Sequence, residues 1–140
     1  MSRIRSKDTS PELSLRRALH ALGLRFRVHV ARLPGKPDIV LRRFKTVVLV
    51  HGCFWHRHPG CKVASTPKSN TAFWEQKFER NTARDARNAA SLQALGWNVL
   101  VVWECELGSL RKAQAAAARI ATEIGHSPRG NAANVATNDA

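Results

Sequence analysis

The chain has 140 residues, enough for one domain around one hydrophobic core. Its 23 Lys and Arg against 10 Asp and Glu give a net charge of +13 and a pI near 11.2, a balance that points to a polyanion, nucleic acid first, ahead of a solubility charge or a ribosome-associated role. It has no apolar run of about eighteen residues, and its basic start, residues 1–7, lacks the apolar stretch of a secretory signal, so a cytoplasmic protein without membrane contact is expected.

Ser10-Pro11-Glu12 reads as a helix start, with Ser10 as cap and Pro11 in the first helical position. Leu15, Ala18, Leu19 and Leu22 follow at helical spacing, and Gly23 ends the run. Phe26, Val28 and Val30 alternate with polar residues as in a half-buried strand. Leu33-Pro34-Gly35-Lys36 is a turn, Asp38-Ile39-Val40-Leu41 a short strand, and Thr46-Val47-Val48-Leu49-Val50 a strand buried on both faces. Residues 52–72 have no period and hold Gly, Pro, His, Cys and aromatics, the mark of a structured functional loop. A helix is predicted over 73–95, stopped by Gly96, then a buried strand over 97–103. Strand, helix, strand is a βαβ unit, so those two strands should be parallel. Leu110, Ala113, Ala117, Ile120 or Ala121, and Ile124 mark a last helix. The polar stretch after Gly125 is expected to be a disordered tail. The sum is a single α/β domain over 1–125, a mixed β-sheet flanked by helices, with a tail over 126–140.

An odd number of cysteines argues against a disulfide framework. Cys53 and Cys61 lie in the irregular loop. Cys105 follows the last strand, and parallel neighbours end on the same side of a sheet. With one histidine of His51, His56 and His58, the three thiolates would complete a closed tetrahedral shell for structural zinc and hold a loop with little core of its own. Cysteines buried beside surface histidines are the plainer alternative. A thiol redox role fits poorly, because the spacing is not Cys-x-x-Cys.

Pro37-Asp38 opens one strand and His51 closes the next. A proline and an acid on a strand of a meander resemble the restriction-endonuclease-like nucleases, where a sheet carboxylate binds Mg2+ beside the scissile phosphate. The second acid and the lysine usual on the next strand are missing from Val48-Leu49-Val50-His51. Taken alone, Asp38 would equally be a turn residue.

Five segments together resemble the very-short-patch repair (Vsr) DNA mismatch endonucleases, members of the restriction-endonuclease-like superfamily. They are Thr9-Ser10-Pro11-Glu12, Leu33-Pro34-Gly35-Lys36-Pro37-Asp38-Ile39-Val40, His51-Gly52-Cys53-Phe54-Trp55-His56, Phe73-Trp74-Glu75 and residues 96–105. The likeness runs from about Met1 to about Ile124. It implies a restriction-endonuclease-like fold with a zinc-held loop. Asp38 would bind Mg2+ together with the backbone carbonyl of Val50. His51 would support the phosphate and the metal waters, His56 would be the general base, and Glu12 would hold a second layer of water. Cys53, His58, Cys61 and Cys105 would be the zinc ligands. A histidine titrating near neutrality suits the proton transfer.

The same resemblance implies that Phe54, Trp55 and Trp74 wedge into double-stranded DNA beside a T:G mismatch, where stacking is already weak. The mismatch arises by 5-methylcytosine deamination, and the nick falls 5′ of the thymine. The bland reading is three core aromatics. Lys62, Lys68, Lys77, Arg80, Arg84 and Arg87 are candidate phosphate contacts, or else a solvated helix face on which Glu79 and Asp85 pair with the arginines. If about six phosphates are touched, affinity should fall roughly a thousandfold between 50 and 200 mM salt. The family form has an N-terminal arm that embraces DNA from the minor-groove side. Here that arm is expected to be short or absent, which would weaken binding or relax sequence context. A nucleoid-associated monomer, with mismatch-repair proteins as further partners, is the expected setting. The competing functions are a related strand-cleaving endonuclease of other specificity and a catalytically silent zinc-dependent DNA-binding module.

Overall fold

The computed structural model describes residues 9–126 apart from residue 66. The basic residues 1–8, where an arm would lie, and most of the expected tail fall outside them. His126 is described: its Nε2 lies 2.9 Å from the Leu22 carbonyl, and its ring stands edge-on to Phe44.

The elements run α1 (Ser10–Ala21), β1 (Arg27–Val28), β2 (Ile39–Leu41), β3 (Thr46–His51), α2 (Thr71–Ala94), β4 (Asn98–Trp103) and α3 (Leu110–Ile124), with short 3-10 turns at Arg42–Phe44, Lys62–Ala64 and Glu104–Leu107. The sheet order is β1-β2-β3-β4. The first two pairings are antiparallel; β3 and β4 are parallel, from Thr46↔Asn98 to His51↔Trp103. This is the α/β mixed sheet that the apolar runs predicted, and the βαβ unit is where they placed it.

Residues alternate between two cores. Ile39, Leu41, Val48 and Val102 point to one face, where α1 and α3 pack with Leu15, Leu19, Ala113, Ala117 and Ile120. Alanines on α3 let the two helices approach closely. Val40 and Val47 point to the other face and meet Leu92 of α2, with Val30, Leu33, Trp97 and Val99 at the margin. Burial on both faces explains why β2 and β3 read as continuous apolar runs. The second core is thin: over 24 residues α2 buries only Phe78 and Leu92.

Four local expectations change. The cap of α1 is Thr9, whose extended backbone (φ −73°, ψ 164°) leaves its Oγ1 to accept from the Glu12 N–H at 3.4 Å, so Ser10 is already helical. β1 is only Arg27–Val28, and Val28 is 39 % exposed. His29 sits at φ +48°, in the left-handed region, and breaks the alternation. Phe26 therefore packs on the first core and Val30 on the second. Leu110 starts α3 but is 72 % exposed and belongs to neither core. β4 is an edge strand, fully buried only at Val102.

The turn before Asp38 is pressed against α2. Gly35 has φ +75°, and a β-carbon there would lie 2.9–3.0 Å from the Asn88 side chain. Gly35→Ala combines backbone strain with that clash. It is expected to cost about 1–3 kcal/mol of unfolding free energy, measured by urea denaturation.

Candidate active site

Along one edge of the thin core, between the turn before β2, the ends of β2 and β3, and α2, lies a cleft of about 580 Å³. Glu12, Asp38, Val50, His51 and His56 all line it, so the five residues named from sequence for the reaction meet in one place. Asp38 precedes β2, and its Oδ2 accepts from the Val50 N–H at 2.7 Å, which ties the starting end of β2 to the finishing end of β3. Burial pushes the Asp38 carboxyl up to about 7. The Val50 N–H and Arg16 oppose the rise, and the neighbouring Glu12 carboxyl adds to it. Glu12 is itself only 4 % exposed. Two carboxyls this close and this dry favour a shared cation. With the Val50 carbonyl, from a residue that also lines the cleft, they would offer an all-oxygen donor set of the hard kind that Mg2+ takes. The residues thus fit the metal.

The histidines lie opposite. The His51 and His56 rings stack at 4.0 Å with 5° between planes, and His51 also meets the edge of Trp103. Burial first, and then His56 beside it, push the His51 pKa down to about 4, so His51 is neutral near pH 7. His56 Nδ1 lies 2.6 Å from Asp85 Oδ2. That contact fixes the ring: Nδ1–H donates to the carboxylate, so in the neutral ring the lone pair is on Nε2. His51, His56 and Asp85 lie close enough to share a metal, but the stacked rings and the His56–Asp85 contact describe a carboxylate–imidazole pair better.

Sequence reading missed Asp85 as a site residue and offered it to arginines on the solvent face. The signal was present: Trp74, Phe78, Asp85 and Leu92 share one stripe of α2, at i, i+4, i+11 and i+18, and an acid on an apolar stripe calls for a partner. Lys36 and Arg84 also line the cleft and bring cations to its rim.

The second cluster sits beside the cleft. Donor atoms of Cys53, His58, Cys61 and Cys105 all lie within 4.8 Å of one another. His58 Nδ1 is 3.6 Å from Cys53 Sγ and 3.5 Å from Cys105 Sγ. Burial pushes the Cys53 thiol up to about 12, so these sulfurs would need a cation among them in order to ionise. Three sulfurs and one imidazole suggest structural zinc. Among the three candidate histidines, His58 joins the cysteines; His51 and His56 face the carboxylates. Trp103 stands between the two centres, stacked on His58 at 4.2 Å and edge-on to His51. Glu104 accepts from the Cys53 N–H at 2.9 Å. The Arg57 guanidinium donates to the carbonyls of Phe54, Ala64 and Ser65 and lies 3.9 Å over the Phe78 ring. Trp103 and Glu104 lie in the family-like segment 96–105, but sequence reading gave neither a role, and Arg57 carried no motif at all.

Phe54, Trp55 and Trp74 form one aromatic cluster with Phe78, at centroid distances of 5.0 to 5.8 Å. They are half-buried. The exposed ring at this margin is Phe73, 57 % open and 5.3 Å from Trp74. Lys62, Lys68, Lys77, Arg80, Arg84 and Arg87 are exposed. On α2, Lys77, Arg80, Arg84 and Arg87 fall within about 80° of the helix circumference, beside the buried stripe. Arg84 donates to Asn81 Oδ1 at 3.0 Å, and the Asn81 side-chain amide donates to the Trp55 carbonyl.

A family model described as DNA mismatch endonuclease Vsr matches residues 1–62. The chain is 52 % identical over 110 residues to the type II nicking enzyme V.XorIIP of Xanthomonas oryzae pv. oryzae, covering 79 % of this chain and 80 % of that one. It is 50 % identical over 107 residues to V.NmeAIP of Neisseria meningitidis, also named a type II nicking enzyme, covering 76 % of each. To the DNA mismatch endonuclease Vsr of Escherichia coli it is 45 % identical over 112 residues, covering 80 % of this chain and 71 % of that one.

Plasma mass spectrometry on the purified protein should find one zinc per chain. Cys61→Ser should lose it and melt roughly 10 °C or more lower, because the binding energy of a closed Cys3His shell is folding energy. A Cys61→Ser variant that kept both zinc and melting temperature would remove Cys61 from the shell.

Proposed function

The chain belongs to the Vsr family of DNA mismatch endonucleases and is a strand-nicking DNA endonuclease; on that premise we propose that it nicks double-stranded DNA 5′ of the thymine of a T:G mismatch and so opens very short patch repair. The observation that carries the reading is a histidine already oriented by a carboxylate, His56 on Asp85, across one cleft from the Asp38–Glu12 pair.

Asp38 and the Val50 carbonyl would hold Mg2+, with Glu12 ordering the water around it. When bound, the ion offsets phosphate charge and eases ionisation of water. The proton work falls to the chain. Asp85 accepts from His56 Nδ1, leaving Nε2 to take the proton of the attacking water and steadying the imidazolium that results. His51 is neutral, so it can donate an N–H to the phosphate or its waters without placing a rival cation beside the carboxylates. Lys36 and Arg84 at the rim meet the incoming phosphodiester.

The aromatic cluster supports recognition of a weakened base pair. Phe54, Trp55 and Trp74 are braced on Phe78 and Arg57 as one body, and a wedge works only if it is stiffer than the stack it opens. The basic stripe of α2, with Lys62 and Lys68 of the loop, would follow the phosphates on either side. Cys53, His58, Cys61 and Cys105 would hold zinc and keep the wedge aligned with the cleft.

A second reading has a specific basis. Five relatives, V.XorIIP and V.NmeAIP among them, are named type II nicking enzymes, which favours a nick that does not depend on the T:G mismatch. An end-labelled duplex with one T:G pair, beside its matched C:G control, decides between them in Mg2+. Cutting of the thymine strand alone is expected. Equal cutting of both duplexes would discard the mismatch assignment and keep the nuclease. Asp38→Ala should reduce the single-turnover nicking rate at least about a thousandfold with DNA binding retained. Asp85→Asn should slow it roughly a hundredfold or more, by loosening the His56 tautomer and ring. Full activity of either variant would take that residue out of the site.

A further inference from the structure

We propose that Arg16 and His29 form a clamp that positions the Glu12 carboxylate for the divalent-cation site, an inference that rests on the role given to Asp38 and Glu12 above. One guanidinium nitrogen of Arg16 lies 3.3 Å from Glu12 Oε1 and 2.9 Å from His29 Nε2. Glu12 and Arg16 are one helical turn apart on α1; His29 comes from the other side, at the end of β1. An arginine has no acceptor, so in this contact the guanidinium donates and His29 Nε2 accepts.

The clamp touches the Glu12 carboxylate and the backbone of Asp38. His29 Nε2 is also 3.8 Å from Glu12 Oε1, and the His29 N–H donates to the Asp38 carbonyl at 3.3 Å. The left-handed backbone of His29, φ +48°, both breaks β1 and turns this side chain toward α1. A bulky residue is uncommon in that conformation, and here its side chain meets Arg16 at the edge of the cleft. The side chains of Arg16, Glu12 and His29 are 15 %, 5 % and 20 % exposed, so the contacts are shielded where solvent would screen an ordinary surface pair.

The chemistry explains why the site needs it. Two carboxylates in a dry cleft repel when both are ionised, and either can rotate away or keep a proton. One guanidinium nitrogen, held by His29 as well, fixes the Oε1 end of Glu12 and so the orientation of the whole carboxylate. A lysine carries the same charge as a compact point whose donors rotate freely on a flexible stem. Arg16 is therefore a positioning residue: it acts through Glu12.

The test uses the full zinc-loaded chain and Mn2+ as the probe ion. Mn2+ binding is measured by calorimetry without DNA, single-turnover nicking with saturating Mg2+, DNA affinity by anisotropy, and folding by thermal melts. Arg16→Met and Arg16→Lys should both weaken Mn2+ binding about tenfold or more and slow nicking by a similar factor, with DNA affinity within about twofold of the parent. His29→Gln, whose side-chain oxygen can still accept, should keep both values near the parent's; His29→Leu should lose about fivefold in each. Should Arg16→Met not fold, the two His29 variants carry the test, since they leave the Arg16–Glu12 pair in place. Unchanged or tighter Mn2+ binding in Arg16→Met, full rescue by Arg16→Lys, or equal values for His29→Gln and His29→Leu would each overturn the clamp. Asp38→Ala is run alongside and should abolish Mn2+ binding; parent-like binding in that variant would bring down the metal reading itself.

Discussion

The parallel pairing of β3 with β4 is the constraint from which the rest follows. Its last step sets His51 beside Trp103. Because parallel strands finish at the same end of a sheet, the loop after β3 and the turn after β4 emerge together. Cys105 can then join Cys53, His58 and Cys61, residues 44 to 52 positions earlier in the chain, and Trp103 can sit under both His58 and His51. A parallel pair also requires a long crossover, and that crossover is α2. Its length brings Asp85 back over the same end to meet His56. One pairing register thus delivers a metal cluster, a carboxylate–imidazole pair and a shared aromatic floor.

Charge is arranged on the two sides of the cleft in different ways. On one side, Asp38 and Glu12 are buried close together, and Arg16 and the Val50 N–H offset only part of the cost. On the other, His51 is kept neutral by burial while His56 is turned by Asp85. A general base and a cation site would interfere if both sides carried positive charge. A neutral His51 stacked on His56 would separate the proposed proton transfer from the carboxylates without adding to the field.

Sequence reading succeeded where a single physical rule dominates. Apolar runs marked the strands because both sheet faces are covered. Glycines 23, 96 and 125 all have positive φ and close the three helices. Three cysteines beside one crowded loop gave the metal cluster. It failed where two rules compete. Alternation at Phe26, Val28 and Val30 predicted one strand face, but a left-handed His29 overrides it, and nothing in the residue type announces that conformation. Spacing alone left the choice among His51, His56 and His58 open, and only the family resemblance sorted them; their physical surroundings depend on Asp85 and Trp103, one distant by helix length and the other by strand register. Arg16, Glu104 and Arg57 were invisible for a related reason: each acts by reaching a backbone or carboxylate oxygen that only the folded chain brings near.

The thin second core ties stability to activity. The first core, with α1 and α3, is large enough to hold the sheet. On the second face α2 touches the sheet through Leu92 and a few partly buried side chains at the margin, and toward its N-terminal half it is tied to the loop through Trp74, Phe78, Asn81 and Asp85. The aromatic body, the metal cluster and the cleft wall therefore support one another more than they are supported by the sheet. If a ring of this body enters DNA as proposed, the load would fall on α2 and reach His56 through Asp85. A duplex that yields at a weak pair would then leave α2 seated, whereas a stiffly stacked one would displace it, so the proposed wedge and the proposed base would be mechanically joined through the thin core between α2 and the sheet.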